Sequence, residues 1–183
     1  MELYIRPVTI FDNDIVTDFN KEHHALNEKI EAGDGSLILG KSYDEYDDFY
    51  DWFQAIEKLD QEEKLKKNQV GCTIYLVLTK EEDKLIALLD IRHSLNYPHG
   101  EVYGHIGVDI RPLERNKGFY KEILKHALEA IKEYSISKVV IACEYSNIPS
   151  KRGIEHIFKK EYKTIPVEGT YYLVYEKELG KKE

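Results

Sequence analysis

The stretch that decides the fold, residues 103–156, reads YGHIGVDIRPLERNKGFYKEILKHALEAIKEYSISKVVIACEYSNIPSKRGIEH. Strand-like residues fill Tyr103–Arg111, and Lys117–Tyr134 carries one apolar stripe at helical spacing. Val139–Cys143 is a continuous apolar run, which is typical of a strand buried on both faces. This order predicts a β-α-β unit with two parallel strands and a right-handed crossover.

The residues outside this unit predict one α+β domain around a mixed sheet. Apolar alternation, β-branched residues and turn signals mark five further strands, near Leu3–Pro7, Gly71–Thr79, Lys84–Arg92, Glu161–Ile165 and Thr170–Glu176. Helical spacing and a capping asparagine mark three further helices, at Phe11–Phe19, at Tyr43–Leu65 and after Asn147. Residues 33–40 and 94–100 are predicted to be loops.

Length, charge and apolar content limit the kind of protein this is. The 183 residues suit one domain with an apolar core of its own. A formal net charge of −8 argues against a general nucleic-acid binder, which would show a basic surface. The chain shows neither a signal-peptide pattern nor an apolar run approaching the ~18 residues of a membrane span, so we expect a cytoplasmic location. Cys72 and Cys143 are expected to be reduced core thiols.

The turn between the fourth strand and the long helix places Arg115 and Lys117 beside Gly118. A helix N-terminus offers about four unpaired N–H groups and roughly half a positive charge, and so it can bind a phosphate anion. Glycine allows the backbone to approach such a ligand closely. A plain helix start with exposed cations explains the same residues equally well.

The six residues Arg115-Asn116-Lys117-Gly118-Phe119-Tyr120 resemble motif A of the GNAT superfamily of acetyl-CoA-dependent acyltransferases. That motif reads Arg or Gln, any two residues, Gly, any residue, and then Gly or Ala. The whole quoted stretch, about a third of the chain, resembles a bacterial branch of predicted acetyltransferases. The resemblance implies a single GNAT-like domain over residues 1–183. Its mixed, mostly antiparallel sheet would have about seven strands, with the parallel pair splayed apart at the centre.

The resemblance also implies an N-acetyltransferase that moves an acetyl group from acetyl-CoA to a primary amine by direct attack in a ternary complex, without a metal. The amine would belong to a small molecule or a protein, and a homodimer is a further candidate partner. A non-catalytic acetyl-CoA-binding sensor or partner protein is the alternative. The implied cofactor-binding residues are Val108 and Ile110 for pantetheine, Arg115, Asn116, Lys117, Gly118, Phe119 and Tyr120 for pyrophosphate, and Asn147 for the thiol end. A helix cap explains Asn147 equally well.

Two positions depart from the family pattern. Tyr120 stands where motif A ends on a small residue, and it would either crowd the phosphate turn or point into the core. Ile154 stands where many members carry a tyrosine that is thought to protonate the leaving thiolate. Tyr145 or a water molecule is therefore the candidate acid, although a thiol of pKa ~8.5 can also leave without one.

Candidates for the base and the acceptor site come from the third and fourth strands. His105 and Asp109 share one face of their strand, and some family members place a glutamate base at the position of His105. An imidazole titrates near ~6.5, which suits a base, although a structural histidine explains the position equally well. His93 follows Asp90 and Arg92 and is the second candidate base. Asp90, Arg92 and His93 are the expected acceptor contacts.

The segment Tyr43–Trp52 is rich in aspartate and in aromatic residues. The resemblance places it beside the acceptor, where carboxylates and rings would bind a cationic amine. A solvated acidic helix face explains the same composition, and the pattern by itself favours that interpretation. His23 and His24, which precede this segment, are likewise expected to be solvated.

Overall fold

Seven strands in two antiparallel sheets form the centre of the computed structural model, which describes residues 1–158 and 162–180 and, of Glu62, the backbone alone. The first sheet contains, in spatial order, Leu3–Pro7 (β1), Cys72–Thr79 (β2), Leu85–Arg92 (β3) and Ile106–Ile110 (β4). The second contains Lys138–Glu144 (β5), Tyr162–Val167 (β6) and Thr170–Glu178 (β7), with β7 between the other two. The α+β class is therefore confirmed, while the predicted Glu161 lies outside the described residues.

Six α-helices surround the sheets in the described part of the chain, at Asn13–Ala25 (α1), Ser36–Leu39 (α2), Phe49–Glu57 (α3), Gly100–Tyr103 (α4), Phe119–Ala130 (α5) and Ile148–Glu155 (α6). The 3-10 turn Ile131–Tyr134 extends α5 to the predicted end of the long helix. The strand predicted from Tyr103 begins only at Ile106, because α4 occupies the preceding residues. Within residues 1–158 and 162–180, no helix is long and apolar enough to cross a membrane.

The long helix predicted over Tyr43–Leu65 is wrong, because local capping interrupts it. Ser42 and Glu45 form a capping box around a separate 3-10 turn, Tyr43–Glu45. Asp48 then begins α3 by accepting a hydrogen bond from the backbone N–H of Asp51 at 3.0 Å. A side chain that caps a new helix cannot lie inside an older one, so Glu45 and Asp48 of the acidic run serve as helix signals.

Two apolar cores lie on opposite faces of the first sheet. The α5 side buries Ile123, Leu124, Ala127 and Ile131, together with Ile154 of α6. The other side buries residues of α1 and α3, including Val16, Phe19, Trp52 and Ile56. Because side chains alternate along β2 and β3, these two strands contribute to both cores and are buried throughout.

The two strands of the predicted parallel pair are not joined by a ladder in the described residues. They meet at one isolated bridge of antiparallel type, between Gly104 and Ile141, and the N–H of His105 donates to the Val140 carbonyl at 2.7 Å. A Cβ on Gly104 would lie 2.3 Å from that carbonyl oxygen, so only glycine permits the approach. Elsewhere β4 and β5 belong to separate sheets, with a cavity between them, while their parallel direction stays a prediction.

Candidate functional site

A cavity of about 530 Å³ opens between β4 and β5 and is the candidate functional site. One end is formed by Ile106, Gly107, Val108, Tyr120, Ala142, Cys143, Asn147 and Ser150, with Tyr172 from β7. The other end is formed by the connection between α1 and α3, through Glu31, Ala32, Ser36, Leu37, Gly40, Lys41, Ser42 and Glu45. Asp90, Arg92 and Tyr103 complete the wall. One cavity is therefore lined both by the separated strands and by the connection between α1 and α3.

The turn before α5 has the geometry of an anion site. Asn116 and Gly118 both adopt left-handed backbone conformations, with φ of +62° and +84°. No side chain caps the N-terminus of α5, and a Cβ built on Gly118 would meet no heavy atom of the described chain within 4 Å. The N-terminus of α5 therefore lacks a side-chain cap and has open space beside Gly118, where a phosphate group could be accommodated.

Both cations of this turn already have carboxylate partners. Arg115 contacts Glu28 at 2.5 Å and Asp109 at 3.4 Å. Lys117 contacts Glu114 at 2.9 Å. Burial raises the pKa of Glu114, but hydrogen bonds from two lysines outweigh it and hold that pKa below its usual value. The sequence could not show these pairs, and they leave the backbone N–H groups and the helix dipole as the main attraction for an anion.

Burial and a backbone contact hold His105 in its neutral form. The side chain is 4% exposed, and its Nδ1 accepts the N–H of Val140 at 3.0 Å. Burial lowers the pKa of His105 to about 4. The residue is not among those that line the cavity. Its role as the base stays a prediction, and these surroundings weigh against it.

His23 is fully buried, so the expectation that it is solvated is wrong. Its Nδ1 lies 3.0 Å from the Phe19 carbonyl, and its Nε2 lies 3.2 Å from the Asp109 carboxylate. Both partners are acceptors, so both ring nitrogens donate to them. Burial disfavours the charged imidazolium, but these hydrogen bonds favour it, and the pKa of His23 is raised. The signal in the sequence was the apolar spacing Val16, Phe19, His23 along one face of α1.

Asp109 connects the candidate site to α1. Its carboxylate contacts His23 and Arg115 and also accepts the backbone N–H of Glu31 at 2.8 Å. Glu31 lines the cavity, and Arg115 begins the turn before α5. Sequence reasoning placed Asp109 on a strand face without a role, whereas the structure makes it the link between α1, the cavity residue Glu31 and the turn before α5.

Asp90 and Arg92 form a buried ion pair in the cavity wall. Arg92 Nη2 lies 2.8 Å from Asp90 Oδ1, and the side chains are 4% and 1% exposed. Arg92 Nη1 also donates to the Gly104 carbonyl at 3.1 Å. A Cβ on Gly107 would lie 2.5 Å from Arg92 Nη2, so glycine in β4 leaves room for the pair. The structure thus brings two of the three predicted acceptor contacts to the cavity.

His93 and Tyr145 lie outside the cavity lining, as do Ile110 and residues 115–119 of the predicted cofactor site. His93 Nε2 lies 2.9 Å from Thr73 Oγ1, and its ring stacks on Tyr134 with centroids 4.0 Å apart. Tyr145 is 59% exposed, and its backbone N–H donates to Tyr171. Contact of either side chain with a bound ligand stays a prediction.

Most acidic residues of the Tyr43–Trp52 segment serve the fold rather than the cavity. Asp44 accepts hydrogen bonds from Asn20 and interacts with His24, each at 2.8 Å. Asp48 caps α3. Within this segment Glu45 lines the cavity, where it joins Glu31. Of the two glutamates at this end of the cavity, Glu45 belongs to the acidic segment that the sequence suggested and Glu31 does not.

Tyr120 lies in the cavity wall, and a glycine on the facing helix makes room for its ring. A Cβ on Gly153 would lie 2.1 Å from Cδ1 of Tyr120. Burial raises the pKa of the Tyr120 phenol, while the nearby Ser150 side chain acts in the opposite direction. The departure from the small residue of motif A is therefore matched by a glycine inside α6.

Gly153→Ala is expected to destabilise the fold, although alanine normally stabilises a helix interior by ~0.5–1 kcal/mol over glycine. The new methyl group would overlap the Tyr120 ring, and such overpacking typically costs ~1–3 kcal/mol. Chemical denaturation of the variant measures the change in the free energy of unfolding. In the Tyr120→Ala background the same substitution is expected to be neutral or stabilising. A stabilised Gly153→Ala single variant would contradict this packing.

The comparisons with known proteins agree on one family. The acetyltransferase (GNAT) domain matches residues 2–157. A structure assigned as a GNAT-family acetyltransferase of Bordetella pertussis superposes with a TM-score of 0.63 and 14% identity, over 95% of this chain and 94% of that chain. A chimeric spermidine N-acetyltransferase, in part from Vibrio cholerae, superposes with a TM-score of 0.61 and 13% identity, over 96% of this chain and 95% of that chain. An aminoglycoside acetyltransferase solved with coenzyme A superposes with a TM-score of 0.62 and 12% identity, over 97% of this chain and 95% of that chain. No curated protein matches significantly.

The fold and the family match define the class of this protein as an acyltransferase. The solved structures share too little sequence to show more than the fold, but the family match covers most of the chain. The chain belongs to the GNAT acetyltransferase family, and acetyl-CoA is the co-substrate of that family. The predicted family and enzyme class are confirmed.

Proposed function

We propose that this chain is an N-acetyltransferase that moves the acetyl group of acetyl-CoA to a primary amine carrying positive charge. The observation that carries the proposal is one cavity that is lined both by residues at the α6 N-terminus and by carboxylates between α1 and α3. Such a cavity can hold a thioester and an amine in one complex, and direct attack gains from that proximity.

The cofactor end of the proposal follows the strand–turn–helix stretch. The N–H groups from Arg115 to Tyr120 would bind the pyrophosphate, and the backbone of Val108 and Ile110 would pair with the pantetheine arm. Asn147 caps α6, since its side chain accepts the N–H of Ser150 at 3.1 Å. The same asparagine lines the cavity, so its amide nitrogen can still bind the pantetheine.

The acceptor end of the proposal rests on charge. The carboxylates of Glu31, Glu45 and Asp90 line the cavity, against the cations Lys41 and Arg92. This excess of acids favours an amine with one or more ammonium groups. The proteins of similar fold include acetyltransferases named for spermidine and for aminoglycosides, and we extend that substrate class to this chain as part of the proposal.

An amine panel tests the proposal and the role of the carboxylates together. Wild-type chain with acetyl-CoA should release CoA thiol faster with polyamines than with neutral amines. Glu31→Gln should raise the Michaelis constant of a cationic amine about two- to fivefold, the size of one exposed charge pair, and leave that of acetyl-CoA unchanged. The matched control is Asp47→Asn, because Asp47 is exposed and does not line the cavity.

Three outcomes would count against the proposal. Acetyl-CoA binding without thiol release by any amine would favour a non-catalytic sensor. Equal rates with neutral and cationic amines would contradict the substrate class. An effect of Asp47→Asn as large as that of Glu31→Gln would return the acceptor role to the Tyr43–Trp52 segment.

A further inference from the structure

The structure leaves the family's usual acid position without a function. Ile154 is fully buried in the core between α5, α6 and the sheet. Its aliphatic side chain cannot donate a hydrogen bond to a leaving group. Tyr145, the candidate from sequence, is 59% exposed and is not among the residues that line the cavity. A side chain of the cavity wall that donates to the leaving sulfur would therefore come from another element.

Tyr120 is a hydroxyl-bearing side chain that reaches the cavity from α5. Cys143, Asn147 and Ser150 line the same end of the cavity, where the fourth and fifth strands separate. The ring is held against Gly153, where even a methyl group would overlap it. A ring fixed in this way positions its hydroxyl beside Ser150, at the N-terminal half of α6.

The protonation state of Tyr120 suits a hydrogen-bond donor. Burial raises the pKa of this phenol above its ordinary value. The phenol therefore keeps its proton at neutral pH and in the alkaline range where amines become neutral. A group that stays protonated offers a donor throughout the reaction, although it does not give up its proton to a thiolate.

We infer that the Tyr120 hydroxyl donates a hydrogen bond to the sulfur of acetyl-CoA as the thiolate leaves. The tyrosine would thus replace, from the facing helix, the acid that Ile154 cannot supply. The inference rests on the proposed function, because it assigns a residue to the same reaction. It gives Tyr120 a side-chain role in addition to the backbone role expected for motif A.

The reaction balances with solvent as the proton source. The ammonium loses one proton to solvent, and the nitrogen lone pair forms the C–N bond at the thioester carbonyl. The C–S bond then breaks, and its electron pair remains on sulfur, where the Tyr120 O–H stabilises it. The nitrogen loses its second proton and the thiolate gains one from solvent. The products are the amide, CoA thiol and one proton.

Tyr120→Phe tests the inference, because it keeps the ring against Gly153 and removes the donor alone. We expect kcat with acetyl-CoA to fall about 10- to 100-fold, the effect of one hydrogen bond to a charged group. The dissociation constant of acetyl-CoA and the unfolding midpoint should change little. Tyr171→Phe, which alters an exposed tyrosine of β7 outside the cavity lining, is the matched control.

A change of leaving group separates catalysis from packing. With the acetyl thioester of an aromatic thiol, a better leaving group, the loss caused by Tyr120→Phe should shrink at least several-fold. Thiol release with water in place of the amine reports the same C–S cleavage and needs no identified acceptor. A wild-type chain that cleaves acetyl-CoA and a Tyr120→Phe variant of equal rate would overturn this inference and leave the proposed function standing. A loss of equal size with both acetyl donors, or a loss of the same size in Tyr171→Phe, would also overturn it. A wild-type chain without any cleavage would overturn both.

Discussion

Acetyl-CoA is expected to raise the unfolding midpoint of the wild-type chain and to leave that of Gly118→Val unchanged. A ligand at ~100-fold its dissociation constant adds about 2.7 kcal/mol to the free energy of unfolding. Gly118 has a φ of +84° and open space beside it, and the valine side chain would enter the space where phosphate contacts the helix N–H groups. Thermal unfolding with and without acetyl-CoA measures the effect.

Gly169→Val is the matched control for backbone strain. Gly169 has a φ of +89°, and a Cβ built there also meets no heavy atom of the described chain within 4 Å. It lies in the turn between β6 and β7, away from the cavity lining. Both variants should lose similar stability, because a β-branched residue resists a left-handed backbone. Acetyl-CoA should still raise the unfolding midpoint of Gly169→Val but not that of Gly118→Val. A normal rise in Gly118→Val would show that the turn before α5 does not bind acetyl-CoA.

Acidification is expected to destabilise the wild-type chain through His105 as the pH falls from about 6.5 to about 4. In that window the unfolded imidazole binds a proton, whereas the folded one, with its pKa lowered to about 4, does not. The unfolded state therefore gains stability as the pH falls, and the change ends below the folded pKa. The contribution of this one histidine is about 3 kcal/mol.

His105→Asn isolates this contribution and tests the predicted base. The asparagine oxygen can still accept the Val140 N–H but cannot titrate, so the difference from wild type should shrink as the pH falls to about 4. The exposed His156→Asn controls for the loss of one histidine. If His105 is the base, kcat/KM of His105→Asn should fall at least ~10²-fold. We expect a smaller fall, because His105 lies outside the cavity lining. An unchanged acid profile in His105→Asn would contradict the buried neutral histidine.

Elements with a strong local signal were predicted well from the sequence. The long helix after the turn, the hairpin of β2 and β3, and the helix capped by Asn147 all occur within a few residues of their predicted bounds. Apolar periodicity and capping residues act over one or two turns, so the local sequence contains the information. The prediction of one long helix from Tyr43 was wrong for a local reason as well. The cap at Asp48 is a stronger signal than the apolar spacing around it, so a new helix begins there.

The partners of charged and polar side chains could not be predicted in the same way. Arg115 meets Glu28 across 87 positions of the chain, and His23 meets Asp109 across 86. No periodicity relates residues so far apart, and a histidine or arginine looks the same in sequence whether it is solvated or buried. Arg115, for which the sequence showed no partner, and His23, which was expected to be solvated, are therefore both paired groups.

By itself the sequence determined the strand–helix–strand order, the glycine turn before the long helix and the family, because each depends on spacing within about a third of the chain. The tertiary structure alone decided that β4 and β5 separate around a cavity and that the Asp90–Arg92 pair lies beneath Gly107. It also decided that Tyr120 fits against Gly153. These features arise where distant backbones approach within a few ångströms. The room available to a side chain at such a contact depends on both of the packed segments, so neither segment of sequence specifies it alone.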